Sequence, residues 1–249
     1  MKKICVVTGT SSGIGAALVP TLLEQGWEVF GIARREADVQ HEAYTGVSLD
    51  LADLEAVQTY FDGGFLREVN LAGYGRIGMV NNAAALGTLG PQDTLSPGEM
   101  ARVFNLNTII PIWLMGFFLK HSQQCSLVIV NVSSGLATVP RAGLTTYCAS
   151  KSALRIAGLV AAEDVENFEG YAGRAGNTAI VSYSPGTVAT AMQENMRGNS
   201  TGTLPSVQRF VDLYEQNKLK PAEHPSREIA ALLSRSDLPL HSEITFGYA

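Results

Sequence analysis

The residues Thr8-Gly9-Thr10-Ser11-Ser12-Gly13-Ile14-Gly15 follow the apolar run Ile4-Cys5-Val6-Val7 and precede a segment of helical pattern. They read as a glycine-rich turn joining a first strand to a first helix. Such a turn constrains the fold because each glycine answers a different steric demand. Gly9 permits the tight turn, Gly13 lets the backbone approach a pyrophosphate with no side chain between, and Gly15 lets the helix pack close to the strand. The amides of the helix N-terminus then face the anion. The spacing departs from GxGxxG, since three residues separate the first two glycines.

Beyond this turn, short β-branched runs alternate with longer helical patterns, the signature of βαβ units around a parallel sheet. Strands are expected near residues 3 to 8, 27 to 33, 46 to 49, 77 to 81, 126 to 132, 178 to 183 and 243 to 246. The predicted fold is α/β: one domain over residues 1–249, with a Rossmann-type doubly wound sheet of about seven parallel strands and helices on both faces. Ligand groups then gather at the strand carboxyl ends, where Gly9, Ala33, Asp50, Asn81, Ser134 and Ser184 fall. The least regular stretch, Thr187 to Leu204, follows the sixth strand; the region 187–215 is where a substrate lid is expected, with Met192 and Met196 lining a flexible apolar pocket.

Bulk properties narrow the function. With 46% apolar and 16% charged residues the chain can build a sizeable core, and a net charge of −5 argues against nucleic acid or an anionic membrane as partner. Cys5, Cys125 and Cys148 show no CxxC or metal-type spacing, which points to reduced thiols, a cytoplasmic setting and no metal. Met1-Lys2-Lys3 imitates the start of a signal peptide, but Thr8 and Gly9 break the apolar run too early. No apolar run reaches the ~18 residues of a membrane span, the nearest being Thr108 to Leu119.

Far down the chain, Tyr147-Cys148-Ala149-Ser150-Lys151 sets a phenol and an ammonium at i and i+4, one turn apart on one helix face. Shortly before it, the strand pattern Val128 to Val132 ends in the hydroxyls of Ser133 and Ser134. TGxxxGxG, a strand-end serine and YxxxK in this order resemble the short-chain dehydrogenase/reductase family. The resemblance continues through Asn81-Asn82-Ala83-Ala84, Asn105 and Ser184-Pro185-Gly186-Thr187, so it covers nearly the whole chain. The segments Val188 to Gln193 and Gln208 to Leu219 resemble its benzil reductase and sepiapterin reductase-like branch.

The resemblance implies an oxidoreductase acting on a ketone or dicarbonyl by hydride transfer. Tyr147 would be general acid, its phenol made more acidic by Lys151, and Ser134 would hydrogen-bond the carbonyl oxygen. Lys151 would also bind the nicotinamide ribose. Asn105 matches the family asparagine that holds a water in the proton relay, with Asn107 the alternative register. Asp50 matches the position that contacts adenine, although it also suits a helix cap. Further cofactor contacts are implied at Ser11, Ser12, Ile14, Leu51, Asn81, Ala83, Pro185, Gly186, Val188 and Thr190. Ala84 stands where the family has glycine, which matters if that residue needs a glycine-like backbone.

Cofactor choice turns on the end of the second strand. An acidic residue there binds the ribose 2′-hydroxyl of NAD, whereas this chain reads Ala33-Arg34-Arg35, suited to a 2′-phosphate. NADP(H) is therefore expected, with a basic residue missing at Ser12 where many relatives carry one. The resemblance implies a homodimer or homotetramer, because monomeric members of the family carry an insertion in the interval from Ser134 to Tyr147 that is short here, and the apolar content of Met100 to His121 and Tyr147 to Val165 points to these helices as the contact. A different class also fits locally: Gly9-Thr10-Ser11-Ser12-Gly13 matches the serine-hydrolase elbow, with Asp237 and His241 following in order.

Overall fold

Seven strands pair in parallel in the order β3-β2-β1-β4-β5-β6-β7 in the computed structural model, which describes residues 1–35, 37–122 and 125–247. They are β1 (Lys3–Thr8), β2 (Glu28–Ala33), β3 (Tyr44–Ser48), β4 (Arg76–Asn81), β5 (Ser126–Val132), β6 (Thr178–Ser184) and β7 (His241–Thr245). The inner strands are apolar along their length because helices cover both faces, so their period-two alternation sorts residues between two cores rather than between core and water. Ile4 and Val6 of β1 enter one core with Ile77, Met79, Leu127 and Ile129; Cys5 and Val7 enter the other with Val80, Val128 and Val130. The edge strands β3 and β7 are only half covered. That weaker patterning explains why β3 begins at Tyr44, ahead of its expected start.

On one face α1 (Gly13–Glu24) packs against α9 (Glu223–Ser234), the buried Ser226 hydroxyl donating to the Ile14 carbonyl at 3.0 Å. The other face carries α2 (Leu54–Thr59), a π-helical turn at Tyr60–Phe65, the short α3 (Leu66–Glu68), α4 (Pro97–Phe104), α5 (Ile110–His121) and α6 (Thr145–Asn167). Phe61 and Phe65 meet at 4.9 Å, and Phe65 meets Phe30 edge-on at 5.2 Å, which locks the π-helical turn onto β2. Two further helices, α7 (Ala191–Arg197) and α8 (Val207–Glu215), lie in the expected lid.

The helical run Pro97–His121 is long and apolar enough, by length and composition, to cross a membrane, an 18-residue window within it having a mean hydropathy of 1.4. No unbroken apolar run has that length, but α4, a π-helical turn at Asn105–Ile109 and α5 join end to end into one helical run that does. Leu114 and Phe118 of this run are fully buried in the core shared with β4 and β5.

Strand order reverses between β1 and β4, whose carboxyl ends therefore diverge into separate connections and leave a crevice. Hydrogen bonds close its floor: the Thr8 hydroxyl accepts from the amides of Asn82 (2.9 Å) and Ala83 (3.0 Å) and itself donates to the Val80 carbonyl.

Candidate active site

The glycine turn lines this crevice. Gly9 (φ +75) and Gly13 (φ +57) adopt the left-handed backbone that side chains resist, and a Cβ on Gly15 would lie 2.3 Å from the Gly9 carbonyl oxygen. Ser12, which caps α1, makes no side-chain hydrogen bond, and no acidic residue occupies the first helical turn. The first amides are thus left for an anion, and the cradle fits a dinucleotide pyrophosphate. Asn82 secures the turn, its amide donating to the carbonyls of Thr8 (2.8 Å) and Gly9 (3.3 Å). From the lid side, the Thr190 methyl lies 3.2 Å from where a Cβ of Gly13 would stand, and the Thr190 hydroxyl caps α7.

Ser134 leaves β5 and turns at once, its hydroxyl accepting from the Leu136 amide at 3.1 Å to start a short 3₁₀ turn. Helix α6 is tied to that turn by Ser152, which donates to the Ala137 carbonyl at 2.7 Å. This brings Tyr147, at the start of α6, over the end of β5. Burial pushes the Tyr147 phenol up to about 12, while the Ser134 hydroxyl works in the opposite direction. Ser133 is turned inward and buried, its amide bonded to the Tyr183 carbonyl, so Ser134 is the hydroxyl that faces the phenol.

Lys151 lies one turn along, its side chain fully buried. Nζ donates to the Val132 carbonyl at 2.7 Å and sits 5.9 Å from the centre of the Tyr147 ring. Burial pushes the ammonium down to about 8, so at neutral pH it remains mostly charged. The expected acidification of the phenol by Lys151 is not seen, because burial outweighs every other influence on it.

The asparagine register is corrected. Asn105 turns away, its amide donating to the Ala52 carbonyl at 3.1 Å in the loop after β3. Asn107, fully buried, takes the place expected of Asn105: its amide donates to the Ala85 carbonyl (2.8 Å) and the Ser150 hydroxyl (3.0 Å), and its oxygen accepts from the Ala85 amide (2.9 Å). The neighbouring Thr108 hydroxyl donates to the Ser150 carbonyl, so this π-helical turn is bolted to the helix bearing Tyr147 and Lys151. Pro111, with no N–H, cannot serve the Asn107 carbonyl at the i−4 position, which leaves that oxygen without its ordinary helical donor.

At the other end of the crevice, Arg34 and Arg35 stand exposed past the end of β2. Partial burial works against the charge of Asp50, yet the Ala52 amide and the Arg102 guanidinium, 2.6 Å from its carboxylate, hold it below the usual carboxylate range. Asp50 does not cap the next helix: Asp53 does, accepting from the Ala56 amide. The Asn81 side chain points inward, donating to Asn131 at 2.8 Å, so only its backbone borders the crevice. Ala84 needs no glycine, because Asn217 is the non-glycine residue with positive φ among those described.

Pro185 and Gly186 (φ +71) follow β6, and Val188 is buried at the base of the lid. Leu204, Val207 and Phe210 of the lid form one apolar cluster with Tyr147, Leu86 and Leu144, against which Met192, Met196 and Leu136 pack. The hydrolase arrangement fails. His241 opens β7, level with Ile180 of β6 and at the opposite end of the sheet from Ser11, and Asp237 is engaged by Arg235.

Thr8, Asn82 and Ser150 carry no assigned role in the sequence reading, and Asn107 stands there only as the alternative to Asn105. The doubled asparagine and the proline four residues after Asn107 were the available signals.

A sequence model of the family described as short chain dehydrogenase matches residues 3–201. Two curated relatives are named benzil reductase ((S)-benzoin forming). That of Bacillus subtilis (strain 168) is 28% identical over 235 residues, covering 94% of each chain, and that of Bacillus cereus is 28% identical over 249 residues, covering 95% of this chain and 96% of its own. The crystal structure of the KRED1-Pglu enzyme superposes with a TM-score of 0.77 at 25% identity, covering 98% of this chain and all of its own.

Proposed function

Because this chain belongs to the short-chain dehydrogenase family of oxidoreductases, we propose that it reduces an apolar ketone or dicarbonyl to the alcohol with NADPH. One observation carries the reading: a fully buried, charged Lys151 sits beside a buried Tyr147 whose phenol faces the Ser134 hydroxyl. Burying an ammonium with a single carbonyl acceptor is costly, and its use here is to bias a neighbouring proton.

The nicotinamide, when bound, supplies hydride to the carbonyl carbon. Tyr147 gives its phenolic proton to the carbonyl oxygen, and Ser134 donates a hydrogen bond to the same oxygen as charge gathers there. Lys151 stabilises the phenolate left behind, and its ammonium is placed to hold the ribose hydroxyls. The glycine turn would hold the pyrophosphate, with Thr190 beside Gly13 at its edge. Asn107 holds α6 in register with the crevice floor and is the residue we assign to the proton relay.

Arg34, with Arg35 next to it, supports NADPH over NADH, because Ala33 offers no carboxylate to repel a 2′-phosphate and a guanidinium binds phosphate through paired hydrogen bonds. The substrate class follows from the lid: the cluster around Tyr147 is built of Leu, Val, Phe and Met, so it favours an uncharged apolar carbonyl. The naming of two relatives as benzil reductases agrees with it. The test is Tyr147→Phe, assayed by NADPH absorbance with benzil. Turnover should fall by about 10² or more while NADPH still binds, and a loss below about twofold refutes Tyr147 as the acid.

A further inference from the structure

The segment from Pro185 to Thr190 carries no helix or strand of its own, yet it must keep its shape to receive the nicotinamide. It is held by Lys220. The Lys220 amide donates to the Thr187 carbonyl at 3.0 Å, and its carbonyl accepts from the Ala189 amide at 2.8 Å, pairing Lys220 in parallel with Val188. The side chain then folds back over the same segment. Nζ comes within 2.8 Å of the point a Cβ on Gly186 would occupy, so a side chain there would have to displace the ammonium, and the positive φ of Gly186 (+71) disfavours one as well.

On its other side, Nζ stands 3.9 Å from the centre of the Phe246 ring. Phe246 begins the tail after β7. Its amide donates to the Ser184 carbonyl at 2.9 Å, its ring stacks on His224 at 6.4 Å, and the next amide, of Gly247, donates to Glu228, which also accepts from the Tyr183 hydroxyl at 2.6 Å. The tail is thereby anchored to β6 and α9, and its aromatic face is a fixed surface for the ammonium.

We propose that Lys220, clasped between Gly186 and the face of Phe246, is a positioning residue that holds the Pro185–Thr190 segment in the shape that binds the nicotinamide. The proposal rests on the nicotinamide reading of the crevice. Lys220 acts through the backbone it holds, and the C-terminal tail becomes part of the cofactor site without touching the cofactor. A cation is required because the ring face attracts charge; a neutral chain of equal length packs there without that attraction.

The test is direct titration of the purified full chain with NADPH, followed by quenching of intrinsic tryptophan fluorescence, alongside steady-state kinetics with benzil. Lys220→Met and Phe246→Leu should each weaken NADPH binding about threefold, the worth of a half-exposed cation–π contact, with melting temperature nearly unchanged. The KM for NADPH should rise in step while kcat stays within about twofold. The double variant should bind no worse than either single one, because both remove the same contact. Lys220→Arg should restore affinity. Wild-type affinity in Lys220→Met, additive losses in the double variant, or an arginine no better than methionine would each overturn the proposal. A wild-type chain that binds neither NADPH nor NADH overturns the nicotinamide reading itself, and the proposal with it.

Discussion

Replacing Lys151 by methionine should make the cofactor-free protein more stable while abolishing its chemistry. The ammonium is fully buried, with one carbonyl acceptor at 2.7 Å, and burial moves it from 10.5 to about 8. A displacement of that size corresponds to about 3 kcal/mol of penalty for carrying the charge in the folded state. Methionine, unbranched and adaptable, fills the same channel without charge. Against the gain stands the Val132 carbonyl, left without its donor at a cost of about 1–2 kcal/mol. A net gain of about 1–2 kcal/mol should raise the melting temperature by about 2–8 °C at pH 7 for a chain of this size. The sign of the pH dependence is distinctive. Between about 8 and 10.5 the folded state has lost this proton while the unfolded state keeps it, so wild-type stability gains with rising pH and the advantage of methionine shrinks across that window. Thermal unfolding of both proteins at pH 7 and pH 9.5 without cofactor measures it, and saturating NADPH should favour the wild type. A variant less stable than wild type at pH 7, or a difference that does not narrow by pH 9.5, refutes the idea that Lys151 is held at the expense of stability.

Ala33→Asp with Arg34→Ala should shift the ratio of kcat/KM for NADPH against NADH by about tenfold or more toward NADH; an unchanged ratio moves the phosphate site to Arg35. Asn107→Ala should cost about 2–4 kcal/mol in denaturant unfolding, because it strips both the amide and the carbonyl of Ala85, whereas Asn105→Ala should stay within about 1 kcal/mol. Equal losses would remove the distinction between the two asparagines. Ile112, Ile156 and Val160, respectively 41%, 51% and 51% exposed, line a groove between α5 and α6, so light scattering should give a dimer or tetramer rather than a 26.5 kDa monomer. Ile112→Glu should dissociate it without unfolding, and a wild-type monomer would sink the prediction.

The order of elements, the parallel sheet and the glycine turn were legible in the sequence because each rests on local steric rules: alternation of β-branched and helical patterns, and glycines where side chains cannot go. Tyr147 and Lys151 were legible as a pair because an i, i+4 spacing fixes a shared helix face. Asn105 and Asn107 show where that legibility ends. Both lie in one turn of one helix, and a regular α-helix gives no reason to choose between them; the π-helical turn at Asn105–Ile109 and the proline after it set which amide meets Ser150. The inward turn of Asn81, the clamp made by Asn82 and the clasp of Lys220 on Phe246 likewise join residues distant in the chain, through contacts that no local pattern encodes. Backbone chemistry confined to a few neighbours determined the fold and the pairing of Tyr147 with Lys151 on one helix face, whereas the positioning of that pair was decided by long-range packing, because a side chain's partner depends on which strands and helices lie beside it in space.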